Sequence, residues 1–123
     1  MPGSPGCEDV AMHIRIYWGK IEPGAWPALE DKYRALMEVP AKGLLGRFVS
    51  QDERDPDGMF TITLWDSRES IEEWEASPEY RDVFLAAVAP YVIGSQSVSL
   101  SEVKVFKVTD LLAALSEDRR KKP

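Results

Sequence analysis

One histidine and one cysteine in 123 residues leave little material for metal or thiol chemistry. A Cys/His zinc cluster draws about four ligands, and a disulfide framework needs paired cysteines, so a single chain can build neither. No apolar run approaches the roughly 18–20 residues of a membrane helix. Basic charge is short as well. Fifteen Lys and Arg against 21 Asp and Glu give a net charge of -6, which offers phosphates no attractive field and disfavours nucleic acid. No G-x-G-x-x-G, Walker A or G-x-S-x-G motif occurs, and Lys42-Gly-Leu-Leu-Gly46-Arg47 is too short for either of the first two. What remains is an ordinary globular composition, 44% hydrophobic and 29% charged, at a length that suits one domain with its own core.

The first residues, Met1-Pro-Gly-Ser-Pro-Gly-Cys7-Glu-Asp, have no basic start and no apolar stretch. They do not read as a secretory leader, and the expected setting is the cytoplasm. Their prolines and glycines suit a flexible arm over residues 1–11. Cys7 has no histidine or second thiol beside it to lower its pKa, so it reads as an inert exposed thiol. At the other end, Thr109 or Asp110 is expected to cap a short helix holding Leu111, Leu112 and Leu115. A solvated charge run closes the chain, and residues 109–123 are read together as helix and tail.

Between the ends, Met12-His-Ile-Arg-Ile-Tyr-Trp18 alternates and is rich in β-branched and aromatic residues, which predicts a strand. Pro23-Gly24 breaks it. Trp26, Leu29, Tyr33 and Leu36 then recur at steps of three and four, the stripe of an amphipathic helix that opens on Pro27 and ends before Pro40. Gly43 to Gln51 reads as a second strand interrupted by Gly46. Asp52-Glu-Arg-Asp-Pro-Asp-Gly58 is a polar turn; its acids lack the spacing and terminal Glu of a calcium loop. Met59 to Trp65 alternates as a third strand. Asp66 or Ser67 is expected to cap the next helix, with Asp66 and Glu69 at capping-box spacing. Ser77-Pro78 divides that helix from one carrying Tyr80, Val83, Phe84, Ala87, Val88 and Tyr91 at helical spacing. Alternation over Val98–Val108, with a slip near Ser101-Glu102, predicts a last strand with a bulge.

The order β-α-β-β-α-β over residues 12–108 is that of an α+β, ferredoxin-like fold with an antiparallel sheet and both helices on one face. Alternation gives each strand two usable sides. Strand one offers Ile14, Ile16 and Trp18 against His13, Arg15 and Tyr17; strand three offers Phe60, Ile62 and Leu64 against Thr61, Thr63 and Trp65. One chain's helices cover one side only. The other needs a partner, and a homodimer packed sheet on sheet supplies it, unless the C-terminal Leu-rich helix folds back there. RNA-recognition domains share this element order, but Met59–Trp65 lacks the basic residue and glycine their third strand carries.

The stretch Trp65-Asp-Ser-Arg-Glu-Ser-Ile-Glu-Glu-Trp74-Glu-Ala-Ser77-Pro-Glu-Tyr80, with the Pro23-Gly24-Ala-Trp26 opening of the first helix, resembles the antibiotic biosynthesis monooxygenase (ABM) family. The resemblance spans roughly residues 12–108 and implies a ferredoxin-like protomer that forms a dimeric α/β barrel. Its members include cofactor-free monooxygenases, haem-degrading enzymes, isomerases and proteins without known activity, so the fold alone does not select a reaction. Haem-degrading relatives use an Asn on strand one, a Trp ending strand three and an iron-binding His on the second helix. Trp65 matches the Trp, while Tyr17 stands at the Asn position and Phe84 at the His position. Phe cannot ligate iron, and the sole histidine, His13, is on strand one, so haem degradation is not expected. The Asn and Tyr that accompany the Trp in quinone-forming monooxygenases are not evident.

The resemblance implies a monooxygenase that uses no cofactor and takes a small apolar or aromatic molecule in a pocket between sheet and helices. The alternative is a non-catalytic dimeric module that binds a small ligand or a partner on the same fold. Candidate catalytic residues are Trp65, Tyr17, Arg15 and His13: Arg15 to hold an anionic oxygen, Tyr17 or His13 to move a proton. Candidate ligand-binding residues are Trp65, Thr61, Thr63, Phe84 and Trp74, and no metal-binding residue is expected. Each also has a plain structural reading. Trp65 and Trp74 read first as core side chains, and the His13–Tyr17 face reads equally as an ordinary solvated or interface surface. Tyr80 and Tyr91 are expected to pack with their hydroxyls in water. Homodimer and small molecule are thus the expected partners, with neither nucleic acid nor membrane among them.

Overall fold

β-Branched and aromatic residues at alternate positions hold His13–Ile21 extended as the central strand β1. A computed structural model describes residues 11–109. The expected arm up to residue 10, and the expected C-terminal helix and charged tail from residue 110 onward, lie outside the described residues. The first helix, α1 (Trp26–Leu36), carries Pro27 in its first turn and buries Leu29, Tyr33 and Leu36, the stripe its spacing predicts. Strands β2 (Leu44–Gln51) and β3 (Gly58–Trp65) come next, joined through the polar turn, where Gly58 N–H donates to Asp55 O at 2.7 Å.

Ser67 is the N-cap of α2 (Arg68–Ala76): its hydroxyl accepts the Ser70 N–H at 3.1 Å. Asp66 does not form the expected box with Glu69. Its carboxylate accepts the Ser70 hydroxyl at 2.7 Å instead, because Ser67, one residue later, already has the extended backbone a cap requires. Ser77 ends α2 and opens the next element. Its hydroxyl donates to Trp74 O at 2.7 Å and accepts the Tyr80 N–H at 3.2 Å, while Pro78 prevents the helix from running through. The segment after Pro78 is not one regular helix. A π-helical turn (Glu79–Phe84) leads into the short α3 (Leu85–Val88) and a 3-10 turn (Ala89–Tyr91). The wide first turn shifts the stripe: Phe84 and Val88 are buried, but Val83 is exposed.

The last strand, β4, spans Val92–Glu102 and not the expected 98–108. Its length is set by the ladder to β1, which pairs Ile21 with Val92 and His13 with Glu102 and then runs out of partner. Beyond it, Val105 and Phe106 are exposed despite their apolar alternation. The bulge sits at the other end too: Gly19 pairs with Gln96 and Lys20 with Ile93, so Gly94 and Ser95 loop out.

The sheet is antiparallel throughout in the order β2-β3-β1-β4, so the β-α-β-β-α-β ferredoxin-like arrangement holds. Helices cover the side carrying Arg15, Tyr17 and Ile21 of β1 and Met59, Thr61, Thr63 and Trp65 of β3, and these join Leu29, Tyr33, Ile71, Trp74 and Phe84 in the core. The opposite side keeps Ile14, Ile16, Trp18, Phe60, Ile62 and Leu64 only partly buried, with Phe48 of β2 48% exposed beside them. No helix among the described residues is long and apolar enough to cross a membrane.

Candidate functional site

Register brings the site together. On the helix-covered side β1 and β3 pair Tyr17 with Thr61 and Arg15 with Thr63, and β2 places Arg47 beside Thr63. Above them stand Tyr33 of α1, Trp74 of α2 and Tyr80, Phe84, Leu85 and Val88 of the helical run after Ser77. These residues enclose a cavity of about 30 Å³. That is room for roughly two water molecules, where an apolar cavity that admits a benzene ring measures about 150 Å³. A larger surface groove, about 360 Å³, runs between α1 and β2 past Trp26, Met37 and Gln51, and shares Tyr33 as a wall.

Arg15 is 5% exposed, and a guanidinium so buried requires partners. Its Nε donates to Glu75 Oε2 at 2.7 Å and its Nη2 to the Tyr80 hydroxyl at 2.8 Å, with the Tyr80 ring centroid 5.1 Å from its guanidinium carbon. Tyr17 donates its hydroxyl proton to Gln96 Oε1 at 2.7 Å. Gly19 allows this, since a Cβ there would lie 3.1 Å from that hydroxyl. Burial first, then the neighbouring Tyr33 and Tyr80, push the Tyr17 phenol up to about 12, so it stays protonated at neutral pH. Burial likewise raises Tyr33, whose hydroxyl shares a 2.9 Å hydrogen bond with Thr61 Oγ1.

Arg47 Nη1 donates to the carbonyls of Leu36, Met37 and Val39, each at 3.1 Å, which ties β2 to the end of α1. Its guanidinium lies 4.9 Å from the Phe84 ring centroid and 5.4 Å from that of Trp74. Desolvation pulls its pKa down from the usual arginine range. The aromatic wall is continuous: Trp74 meets Phe84 and Tyr80 at centroid distances of 5.5 Å each, and Phe84 meets Tyr33 at 5.8 Å.

Six of the residues singled out from the sequence therefore line one cavity: Arg15, Tyr17, Thr61, Thr63, Trp74 and Phe84. Two do not. Trp65 shares the strand face but is fully buried beneath Trp74, at a centroid distance of 6.1 Å, and donates its Nε1–H to Thr63 Oγ1 at 2.7 Å. His13, at the start of β1, has its Nδ1 2.9 Å from Ala11 O. Sequence reasoning missed Tyr33, Arg47 and Tyr80. The Tyr80 hydroxyl is not in water, as its position predicts; the π-helical turn carries it inward to Arg15. Among the described residues no group of three His, Cys, Asp or Glu is arranged to hold a metal ion.

A family model described as "Antibiotic biosynthesis monooxygenase" matches residues 10–84. Among solved structures, a protein of Chloroflexus aurantiacus J-10-fl, named as a candidate member of that family, superposes with a TM-score of 0.61. It is 24% identical, and the match covers 80% of this chain and 100% of that one. A similarly named protein of Bordetella bronchiseptica gives 0.69 at 15% identity, covering 78% and 99%. A conserved protein of Methanosarcina mazei Go1 gives 0.68 at 12%, covering 80% and 99%. At these identities the likeness is one of fold. No curated protein matches the chain.

Proposed function

Because this chain belongs to the antibiotic biosynthesis monooxygenase family, we propose that its cavity binds a small, electron-rich aromatic molecule and oxygenates it without a cofactor. The observation that carries this reading is the composition of the wall. Aromatic rings of Tyr17, Tyr33, Trp74, Tyr80 and Phe84 surround the hydroxyls of Thr61 and Thr63 and the anchored guanidinium of Arg15. Such a wall excludes water, presents flat surfaces to a flat ligand and supplies a fixed positive charge to a developing oxyanion.

The reaction balances without an external reductant. A phenol loses its hydroxyl proton and one ring hydrogen, and gains one oxygen atom to become a quinone. The second oxygen atom leaves as water, and all four electrons come from the substrate. Arg15, held by Glu75 and Tyr80, stabilises charge that develops on oxygen as dioxygen is reduced. Tyr17, protonated well past neutral pH, serves as a proton donor to reduced oxygen and not as the base. Haem does not suit this wall, since Phe84 brings no ligand to iron. On this reading a ring is admitted by outward movement of Tyr80 and Phe84, which both stand on the irregular π-helical turn.

The same reading makes the working unit a homodimer joined through the open side of the sheet, where Ile16, Ile62 and Phe48 lie side by side across three strands. With one cysteine in the whole chain no internal disulfide can form, and we place the protein in the cytoplasm. The test is oxygen uptake in air with a panel of phenols and hydroquinones, using labelled dioxygen and mass spectrometry of the products. Uptake with one labelled atom per product supports the reading. Ligands that bind without consuming oxygen would establish the second reading, a non-catalytic binding module, which Tyr17 and Phe84 in the wall favour, since they stand where relatives carry Asn and His.

A further inference from the structure

The two guanidinium groups at the cavity differ in one respect. Arg15 is matched by Glu75, whereas Arg47 has no carboxylate partner among the described residues. Its Nη1 is fully engaged by three carbonyls, but its Nη2 is buried and makes no hydrogen bond. A staple between β2 and the end of α1 needs only the Nη1 side. The second donor therefore stands idle on a guanidinium whose carbon lies over the Phe84 and Trp74 rings, in surroundings where an unmet donor is unfavourable. Cation–π contact offsets part of the desolvation but offers no acceptor lone pair.

We propose that Arg47 is the anion-binding residue of the cavity, its Nη2 receiving the oxyanion of a planar, singly charged ligand whose ring packs against Phe84 and Trp74. The shared chemistry is an sp² oxyanion conjugated to a ring, met in a phenolate or an aromatic carboxylate. A guanidinium fork suits either, because its donors lie in one plane with the acceptor. A single negative charge balances the site, since Glu75 already balances Arg15. This assignment rests on the cavity being the ligand site, but not on oxygenation taking place there.

Isothermal titration of the full chain with two matched pairs tests it: benzoate against benzamide, and 4-nitrophenolate against 4-nitroanisole. The anion of at least one pair should bind about tenfold or more tightly than its neutral analogue, as expected for a hydrogen bond to a charged group. Whichever pair shows the preference identifies carboxylate or phenolate as the source. Arg47→Met should abolish the preference while neutral rings still bind, and Arg47→Lys should restore part of it. Should Arg47→Met fail to fold, the wild-type pairs and Arg47→Lys still decide the matter. Equal binding of anion and neutral overturns the role of Arg47 and leaves the cavity reading intact. Anion preference without oxygen uptake removes the oxygenase reading and leaves Arg47 in place. If no ring binds in either form, both fall.

Discussion

Replacing Trp65 by phenylalanine separates a packing residue from one that meets the ligand. The indole is fully buried, donates to Thr63 Oγ1 at 2.7 Å and lies under Trp74. Phenylalanine keeps one ring but loses the donor and part of the volume. The lost hydrogen bond is worth about 1 kcal/mol net. Truncating a buried Trp or Phe to Ala costs about 3–5 kcal/mol, and phenylalanine retains the larger share of that packing, so the void adds roughly 1–2 kcal/mol. Together these make Trp65→Phe less stable by about 2–3 kcal/mol, a fall in Tm of roughly 8–15 °C for a domain of this size. Calorimetry and denaturant unfolding measure it. Titration of an aromatic probe well below the transition should change by less than about threefold, because Trp65 is not in the cavity wall. A variant with wild-type Tm that loses aromatic binding or oxygen uptake by more than about tenfold would refute this placement and make Trp65 a ligand contact.

Tyr17→Phe should flatten the alkaline loss of stability. The unfolded phenol ionises near 10 and the folded one near 12, so the contribution of the neutral form is whole below pH 10 and disappears as pH rises through 12. The difference between variant and wild type across that window is on the order of 2 kcal/mol, read by urea unfolding on either side of it; an unchanged slope contradicts the assignment. Gly43→Ala should cost about 2–4 kcal/mol in denaturant unfolding, since Gly43 has φ +85° and a Cβ there would run into the Ser70 hydroxyl and the Asp66 carboxylate. An unchanged midpoint would show that this turn is not fixed. Ile62→Asp, in the middle of the open side, should convert a two-chain mass to a one-chain mass in light scattering. A wild-type mass of one chain at micromolar concentration overturns the homodimer.

Local periodicity made three elements legible. The alternation of β1 and β3 and the stripe of α1 come from side chains that meet the core whatever the rest of the fold does. β4 was misplaced because its register is borrowed. Val92-Ile-Gly-Ser-Gln-Ser is a weak strand by composition, and only the ladder to β1 holds it extended. The site was half legible for a related reason. Strand parity put Arg15, Tyr17, Thr61 and Thr63 on one side, but parity does not say how deep a residue lies on its face, which is where Trp65 and the cavity-lining Thr63 part company. Arg47 carried a usable signal, since it shares parity with Val49, but the interruption at Gly46 obscured it. Tyr80 carried a partial one, since it stands four residues before Phe84 on the same stripe, but spacing alone does not say that its hydroxyl turns in to Arg15.

The proton is the harder constraint on any chemistry here. No imidazole lines the cavity, the Tyr17 and Tyr33 phenols are raised by burial, and the Arg15 guanidinium already engages Glu75. The wall therefore has no group that would take a proton from a ligand at neutral pH. On the proposed reading, the ligand either arrives as an anion or is acidic enough to ionise on binding. An opposite charge within about 4–6 Å lowers an acid's pKa by roughly 1–3 units, so Arg47 brings weak phenols into range. That same field makes the bound anion a poorer electron donor, because its charge is stabilised where it would have to leave. Affinity and turnover must then run in opposite directions along a ligand series. Electron-poor phenolates should bind well and resist oxygen, whereas hydroquinones should bind less tightly and react. A series in which the tightest-binding phenolate is also the fastest substrate would show that electrons are not drawn from the bound anion, and the cofactor-free mechanism would go with it.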